Sequence, residues 1–471
     1  MQSSLSSNYD SPESSKSVSD PEKHELNKAP QFERSKFSNL KQIITWLCRI
    51  IFGSTFLYSG FVKAVDPWGT FYKFTEYLNA LGIDLVPNII LSGVFGLCAI
   101  EFIIGLCILI GCYRKSAPIA GGLIMAVMLP LTLWIAIKDP VADCGCFGDA
   151  LIISNWATFW KNIFLSALVI WLIKHNKHAY ALITPALQWI AIVISIAFIS
   201  VILFYGYFRQ PLIDFRPYPV SETLISEDEE DDTKFVFVYS RNGILKELNE
   251  EDELPSEEDG WEFVERKEIN NPSENSSSNS HKTFRIWDET GDHDMTETAI
   301  TGEGKQLILL IPDLATVSPA TTWKINLLND KAAENDIDMI AAVAGNSELI
   351  NEWTDLSMPQ YDIYIAEDTA IKEVARGNPA IVYLENGIIE WKTSLNSLDA
   401  EEFGSEDGMK KLTEELNNNM TILKASSFLY ISLLAFLIAL SFLPRLRRMF
   451  QNSPKKSIFR IGNVDGHKEE S

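Results

Sequence analysis

The sequence predicts a membrane all-α helical bundle of six spans joined to an α/β domain outside the membrane. Three observations carry this. Six apolar runs are each long enough to cross a bilayer. Lys and Arg gather in alternate connections between those runs. One acidic, cysteine-free stretch alternates strand-like and helix-like patterns.

The runs cover about residues 43–65, 86–111, 116–137, 155–173, 183–208 and 421–443, against the ~20 residues that span a ~30 Å hydrocarbon core. Residues 1–42 are rich in Ser, Lys and Glu without apolar periodicity, the composition of a disordered tail. No short apolar segment with a small-residue cleavage site precedes the first run, so that run is expected to serve as the insertion signal. Lys16, Lys23, Lys28, Arg34, Lys36 and Lys41 precede it, Arg114 and Lys115 follow the second, Lys174 and Lys177 follow the fourth, and Arg445, Arg447, Arg448, Lys455 and Lys456 follow the sixth. With six spans these positions share one side, which the positive-inside rule makes cytoplasmic. Both termini, including the basic tail 444–471, are therefore expected inside. Residues 66–85, the loop 138–154 and the acidic region between the fifth and sixth spans are expected outside.

The formal charge of −23, from 63 acidic against 40 basic residues, belongs mainly to that outer region. It argues against nucleic-acid binding, which needs clustered Lys and Arg facing phosphate. Within the region, 209–280 is expected to be an acidic linker carrying one hairpin, Lys234–Leu248 around Asn242-Gly243. Residues 249–280 are charged and rich in Ser and Asn, and are expected to be loop. From 281 to 400 the pattern becomes globular. Strands are expected at 284–287, 306–311, 338–344 and 362–366, helices at 319–335, 347–356 and 369–376, and a closing hairpin at 380–392 turning at Asn386-Gly387.

Chemistry concentrates in Asp143-Cys144-Gly145-Cys146-Phe147-Gly148-Asp149. Cys48, Cys98, Cys107 and Cys112 lie in apolar runs and have the setting of small hydrophobes. Cys144 and Cys146 alone occupy a polar connection, in a compartment where disulfides persist. Two cysteines one residue apart close only a small, strained ring, which Gly145 eases. A strained, exposed disulfide is easily reduced, and a thiolate there attacks a partner's disulfide with its neighbour as resolving thiol. Three readings stay open: redox exchange, a structural cap on the turn, and a metal held by two thiolates. The metal reading lacks further ligands, since the histidines show no ligand spacing. Glu101 sits near the middle of the second span, where a carboxylate marks either function or a buried polar contact. Ser54, Thr55 and Thr132 are expected at its depth, with Lys63 nearer the outer surface and beyond direct reach. Lys63, Asp66 and Lys161 are placed around the outer mouth, where snorkelling is the plain alternative.

Residues about 44–176 resemble the DoxX/MauE group of four-helix membrane proteins. The resemblance rests on Leu57-Tyr58-Ser59-Gly60-Phe61-Val62-Lys63-Ala64-Val65-Asp66-Pro67, on Glu101, and on the Cys-Gly-Cys segment. It implies redox work at a membrane, associated with periplasmic disulfide formation in methylamine utilisation (MauE branch) or thiosulfate:quinone oxidoreduction (DoxX branch). A membrane quinone is the cofactor it suggests, and a bacterial inner membrane the location. Residues 281–400 resemble a thioredoxin-like domain of the membrane-tethered TlpA type, through FRIWDETG, QLILLIPDL and Asn378-Pro379-Ala380-Ile381-Val382-Tyr383-Leu384-Glu385-Asn386-Gly387. That resemblance implies a cis Pro379 and a partner-binding surface beside it. Where such domains carry Cys-x-x-Cys, this chain has Ala315-Thr316-Val317-Ser318-Pro319, so the domain itself lacks a dithiol.

The expected function is thiol/disulfide exchange by Cys144 and Cys146 with extracytoplasmic proteins, Cys144→Ser abolishing a trapped mixed disulfide. The alternative is a non-enzymatic membrane scaffold with a structural cysteine pair. Solute transport is disfavoured by the scarcity of polar residues in the spans.

Overall fold

The structure, a computed structural model, describes residues 31–451 except 84, 142–143, 177–179, 226–233, 242–243, 250–261, 270–283, 292, 346 and 405. Asp143, His178 and His281 therefore lie outside the described residues.

Among the described residues, six helices are long and apolar enough to cross a membrane. Four form the first bundle: α1 (Gln31–Val65), α3 (Pro87–Ile110), α4 (Ser116–Lys138) and α5 (Asn155–Lys174), with a shorter α2 (Pro67–Ala80) between the first two. The fifth, α6 (Gln188–Phe208), enters the α/β region, and a last helix, Asn419–Gln451, leaves it. Leu123 and Val127 of α4 and Phe428 of the last helix are 67–75 % exposed. Apolar surface of that kind is stable against lipid rather than water.

One expectation about this region is corrected, and one connection gains an element. Residues 31–40 are helical, because a helix nucleated by an apolar span extends at one hydrogen bond per added residue. The connection after Val65 is helix α2: Pro67 is preorganised for its first turn, and Asp66 Oδ1 accepts from Gly69 N at 2.9 Å.

Glycines bring α1 and α3 together. A Cβ at Gly105 would lie 2.3 Å from Leu57 N, and one at Gly60 would lie 2.5 Å from Phe102 N. The backbones pack where only hydrogen stands between them, the small-residue contact that membrane helices favour.

Beyond α6 come β1 (Lys234–Arg241), β2 (Ile244–Asn249) and β3 (Glu262–Ile269), an antiparallel sheet in the order β2-β1-β3. The hairpin was expected; β3 falls in a segment expected to be loop. Its charged composition hid it, but β1 offers a second edge that pairs from Lys234↔Ile269 to Ser240↔Glu262.

The globular unit follows: β4 (Ile286–Trp287), α7 (Thr296–Ala299), β5 (Lys305–Ile311), α8 (Thr322–Ala333), β6 (Asp338–Val343), α9 (Ser347–Ser357), β7 (Asp362–Ala366), α10 (Asp368–Val374), β8 (Ala380–Glu385) and β9 (Ile388–Ser394). α11 (Ala400–Phe403) and α12 (Glu406–Leu416) lead into the last helix, α13 (Asn419–Gln451). The sheet order is β4-β7-β6-β5-β8-β9, with β5, β6 and β7 parallel and β4, β8 and β9 antiparallel to their neighbours. Leu307, Leu309 and Ile311 of β5 enter one core and Ile308 and Leu310 the other, so both faces are covered. The Asn378–Pro379 bond is cis, as expected.

Residues after α6 are more than linker. Tyr218 and Leu224 belong to the second core, and Thr223 bridges Ile388 at the sheet edge. Lys392 Nζ reaches Asp214 Oδ2 at 2.6 Å and donates to the Tyr218 and Val374 carbonyls at 2.5 and 3.0 Å. Burial, and then Arg216, push Lys392 down to about 7 against the pull of Asp214. Asp214 itself is held low by Arg216 and Lys392 against its burial. The direct contacts favour the ionised pair.

The helices that enter and leave this unit pack together. Phe198 of α6 stacks on Tyr430 of α13 with ring centroids 4.3 Å apart, and Ser195 Oγ lies 3.0 Å from the Tyr430 hydroxyl.

Candidate functional site

Cys144 and Cys146 are both free thiols, with their Sγ atoms 3.1 Å apart. A tight turn holds them: Gly148 N donates to Gly145 O at 3.1 Å, and both glycines have positive φ (+60° and +54°). Such a conformation favours residues without a Cβ. The two sulfurs differ in surroundings. Cys144 is buried in an apolar cluster with Tyr77, Ile135 and Val141, whereas Cys146 is half-buried. Cys146 is pulled down to about 6, first by the hydrogen bond from the Cys144 thiol and then by Lys161 and Lys63, against its desolvation and Glu101. Cys144 is pushed up by that same hydrogen bond, by burial and by the charge on Cys146. One thiolate and one thiol at contact distance is the arrangement that thiol–disulfide exchange requires.

Beneath the loop, Lys63 Nζ lies 2.9 and 2.8 Å from the two carboxylate oxygens of Glu101, and both residues are 4 % exposed. This corrects the expectation that Lys63 cannot reach Glu101. The close α1–α3 approach at Gly60 and Gly105 shortens the distance, and Ser59 and Lys63, one helical turn apart, share the face that meets Glu101. Ser59 Oγ is 2.9 Å from Glu101 Oε2 and 2.8 Å from the Cys146 carbonyl. Its one proton serves one of these acceptors at a time. The hydroxyl thus joins the intramembrane pair to the backbone of the dithiol turn.

The other polar residues expected at that depth divide. Thr55 lines a cavity with Ser59, Lys63, Glu101, Cys146, Lys161 and Asn162. Ser54 bonds back to Ile50 O, and Thr132 receives a hydrogen bond from Asn162 Nδ2 at 3.3 Å. Lys161 Nζ stands 4.2 Å from the Phe147 ring centroid, beside the dithiol rather than free at the mouth. The cavity measures about 30 Å³, room for water, whereas sites for ring-sized ligands occupy roughly 300–1,000 Å³. The polar partners would suit a quinone, but the space does not fit one.

Asp66 takes a different partner. Arg376, from the segment between α10 and β8, places Nε 2.9 Å and Nη2 2.7 Å from Asp66 Oδ2. Nη2 also bonds Asp149 Oδ2, three residues beyond Cys146. Nη1 donates to Lys372 O at 2.8 Å. Gln210, just past α6, grips the Arg376 backbone from both sides: its Nε2 donates to Arg376 O at 2.6 Å and its Oε1 accepts from Arg376 N at 2.9 Å. Burial opposes the Arg376 charge, but Asp66 and then Asp149 outweigh it and raise the guanidinium above its ordinary value. Pro379, three residues on, is buried. Asn378 turns the other way, donating to Asp313 O at 2.7 Å and Thr316 Oγ1 at 2.8 Å in the cysteine-free turn after β5. Sequence reasoning singled out Cys144, Cys146, Glu101, Lys63 and Asp66, held Lys63 out of reach of Glu101, and gave no role to Ser59 or Arg376. The turn spacing of Ser59 to Lys63 was a legible signal; nothing local marks Arg376.

Residues 41–175 match the family model described as methylamine utilisation protein MauE. The chain is a MauE-like integral membrane protein. Its MauE-like segment supplies Ser59, Lys63, Asp66, Glu101, Cys144, Cys146 and Asp149, while Gln210 and Arg376 come from outside it. No curated protein and no solved structure matches the chain. Among the described residues no group of three or more His, Cys, Asp or Glu side chains comes together as a metal site would require.

Proposed function

We propose that this MauE-like protein exchanges thiols and disulfides with extracytoplasmic proteins through its Cys144–Cys146 loop. The observation that carries the proposal is the asymmetric pair: two free sulfurs in contact, one half-buried with a depressed pKa and one buried in an apolar pocket. In the forward direction the Cys146 thiolate attacks one sulfur of a partner's disulfide. A mixed disulfide forms and the partner's other sulfur leaves as a thiolate. Cys144 then gives up its proton and attacks Cys146 Sγ, closing the loop disulfide and releasing the partner's second thiolate. The proton from Cys144 and one from solvent, to which Cys146 has already lost its own, end on the two partner thiols, and the partner's disulfide is the oxidant. The reverse reaction oxidises a partner dithiol.

The geometry favours Cys146 over Cys144 as the attacking sulfur, reversing the order tied to the Cys144→Ser expectation. Placement outside the membrane rests on the Lys and Arg pattern of the connections. The family's name ties it to methylamine utilisation, and we take the exchange to serve a process of that type, at a bacterial inner membrane. We read the six-stranded unit as a thioredoxin-like domain without a dithiol, supported by parallel β5, β6 and β7 interleaved with α8 and α9 and by the closing β8–β9 hairpin. The expected contact at Pro379 then takes an intramolecular form, its loop facing the dithiol turn through Arg376.

Trapping tests this. Cys144→Ser, lacking the resolving thiol, should accumulate mixed disulfides in cells, and Cys146→Ser should give none. Equal absence of adducts in both variants would sink the exchange. A structural role, favoured by the burial of Cys144, predicts instead a loop disulfide that glutathione cannot reduce.

A further inference from the structure

The α/β unit is fused to the MauE-like segment through one guanidinium, and the place it touches is specific. Of the two carboxylates that Arg376 holds, Asp66 closes α1 and caps α2, and Asp149 lies in the 3-10 turn, Gly148–Ala150, that ends the dithiol loop. The loop is thus pinned at two points. Ser59 holds the Cys146 carbonyl from the membrane side, and Arg376 holds Asp149 from the outer side. Everything around Arg376 fixes its aim: Gln210 clasps its backbone, and Lys372 O takes Nη1. Gly69 leaves the room, since a Cβ there would stand 2.5 Å from Asp66 Oδ2 and 2.8 Å from Arg376 Nη2.

We propose that Arg376 is a positioning residue for the dithiol: through Asp149 it keeps the turn closed, Cys144 buried and the two sulfurs in contact. The α/β unit then acts as a fixed clamp on the membrane module's thiols, whatever else it binds. This rests on the exchange reading for its purpose, but the geometry stands without a partner. A clamp of this kind needs a planar fork that meets two carboxylates together; an ammonium meets them less well.

The test uses the reduced, full-length protein in lipid nanodiscs, alkylated with iodoacetamide over a pH series, with each cysteine read by mass spectrometry. Arg376→Gln and Asp149→Ala should each speed Cys144 alkylation by about tenfold, as local opening exposes a buried thiol. The pH midpoint of Cys146 should rise from about 6, because the hydrogen bond from Cys144 that depresses it is lost with the turn. Arg376→Lys should fall between wild type and Arg376→Gln. Asp149→Ala keeps the Asp66–Arg376 contact, so it decides the matter even where Arg376→Gln fails to fold. Wild-type rates and midpoint in Asp149→Ala would overturn the proposal, including when Arg376→Gln alone shows a change. No partner enters this assay. A failure to trap partners leaves its result intact, and unchanged thiols here leave the trapping result intact.

Discussion

Two buried ion pairs flank the dithiol loop, and they are built differently. Lys63 and Glu101 belong to adjacent helices of the MauE-like segment, and both side chains are buried. Arg376 meets Asp66 and Asp149 across a seam between two units, 310 and 227 residues away along the chain. The inner pair is a single contact between one cation and one carboxylate, with the Cys146 thiolate as the next charge beside Lys63. The outer cluster shares one cation between two carboxylates, with Tyr72 beside it. Losing one member therefore has different consequences. Inside, the survivor loses the charge it touches; at the seam, a second partner remains. The inner pair bears on the electrostatics of Cys146, and the outer one on the position of the loop.

Removing one carboxylate from each cluster breaks this comparison most sharply. Glu101→Ala leaves Lys63 buried without the carboxylate it contacts and should cost about 3–5 kcal/mol. Asp66→Ala leaves Arg376 its contact with Asp149 and should cost about 1–3 kcal/mol. Thermal unfolding in one detergent would rank the two, and equal losses would erase the distinction. Gly105→Val comes next. Its side chain would meet the Leu57 backbone and push α1 from α3, costing about 1–3 kcal/mol and weakening the Lys63–Glu101 contact.

The smaller effects are electrostatic and are read at Cys146. Lys161→Met should move its alkylation midpoint upward, since that cation is the stronger of the two that favour the thiolate. Lys63→Met should move it the same way but less, because that cation is the weaker of the two. A downward shift in either variant would contradict the assigned surroundings.

Much of this was legible in the sequence. The spans were, because a bilayer demands long apolar runs whatever the packing. So was the strand and helix order from β5 to β9, where continuous apolar strands alternate with amphipathic helices. The site was legible only where chemistry is local: Cys-Gly-Cys in a polar connection, and Glu101 in an apolar helix. Distances between elements were not. Lys63 meets Glu101 because Gly60 and Gly105 remove side-chain bulk between two backbones, which depth along a single helix does not reveal. Arg376 is invisible for a stronger reason, since its partners lie in another unit and no pattern around it encodes them. Strand β3 was missed because its ladder is supplied by β1, while its own composition is that of a solvated loop. The segment after α6 was missed likewise, since Asp214, Tyr218 and Leu224 acquire their roles only against β9 and the second core.

In the proposed exchange Cys144 and Cys146 form an asymmetric, reactive dithiol with Cys146 as the attacking sulfur. The most direct measurement is the pH dependence of alkylation of each cysteine in the reduced wild-type protein in bilayers. A thiolate reacts and a thiol does not, so the rate at Cys146 should rise through a midpoint near 6 and level off above it, with Cys144 lagging throughout. Two thiols that label together at an ordinary midpoint of about 8.5, or a Cys144 that labels first, would contradict it.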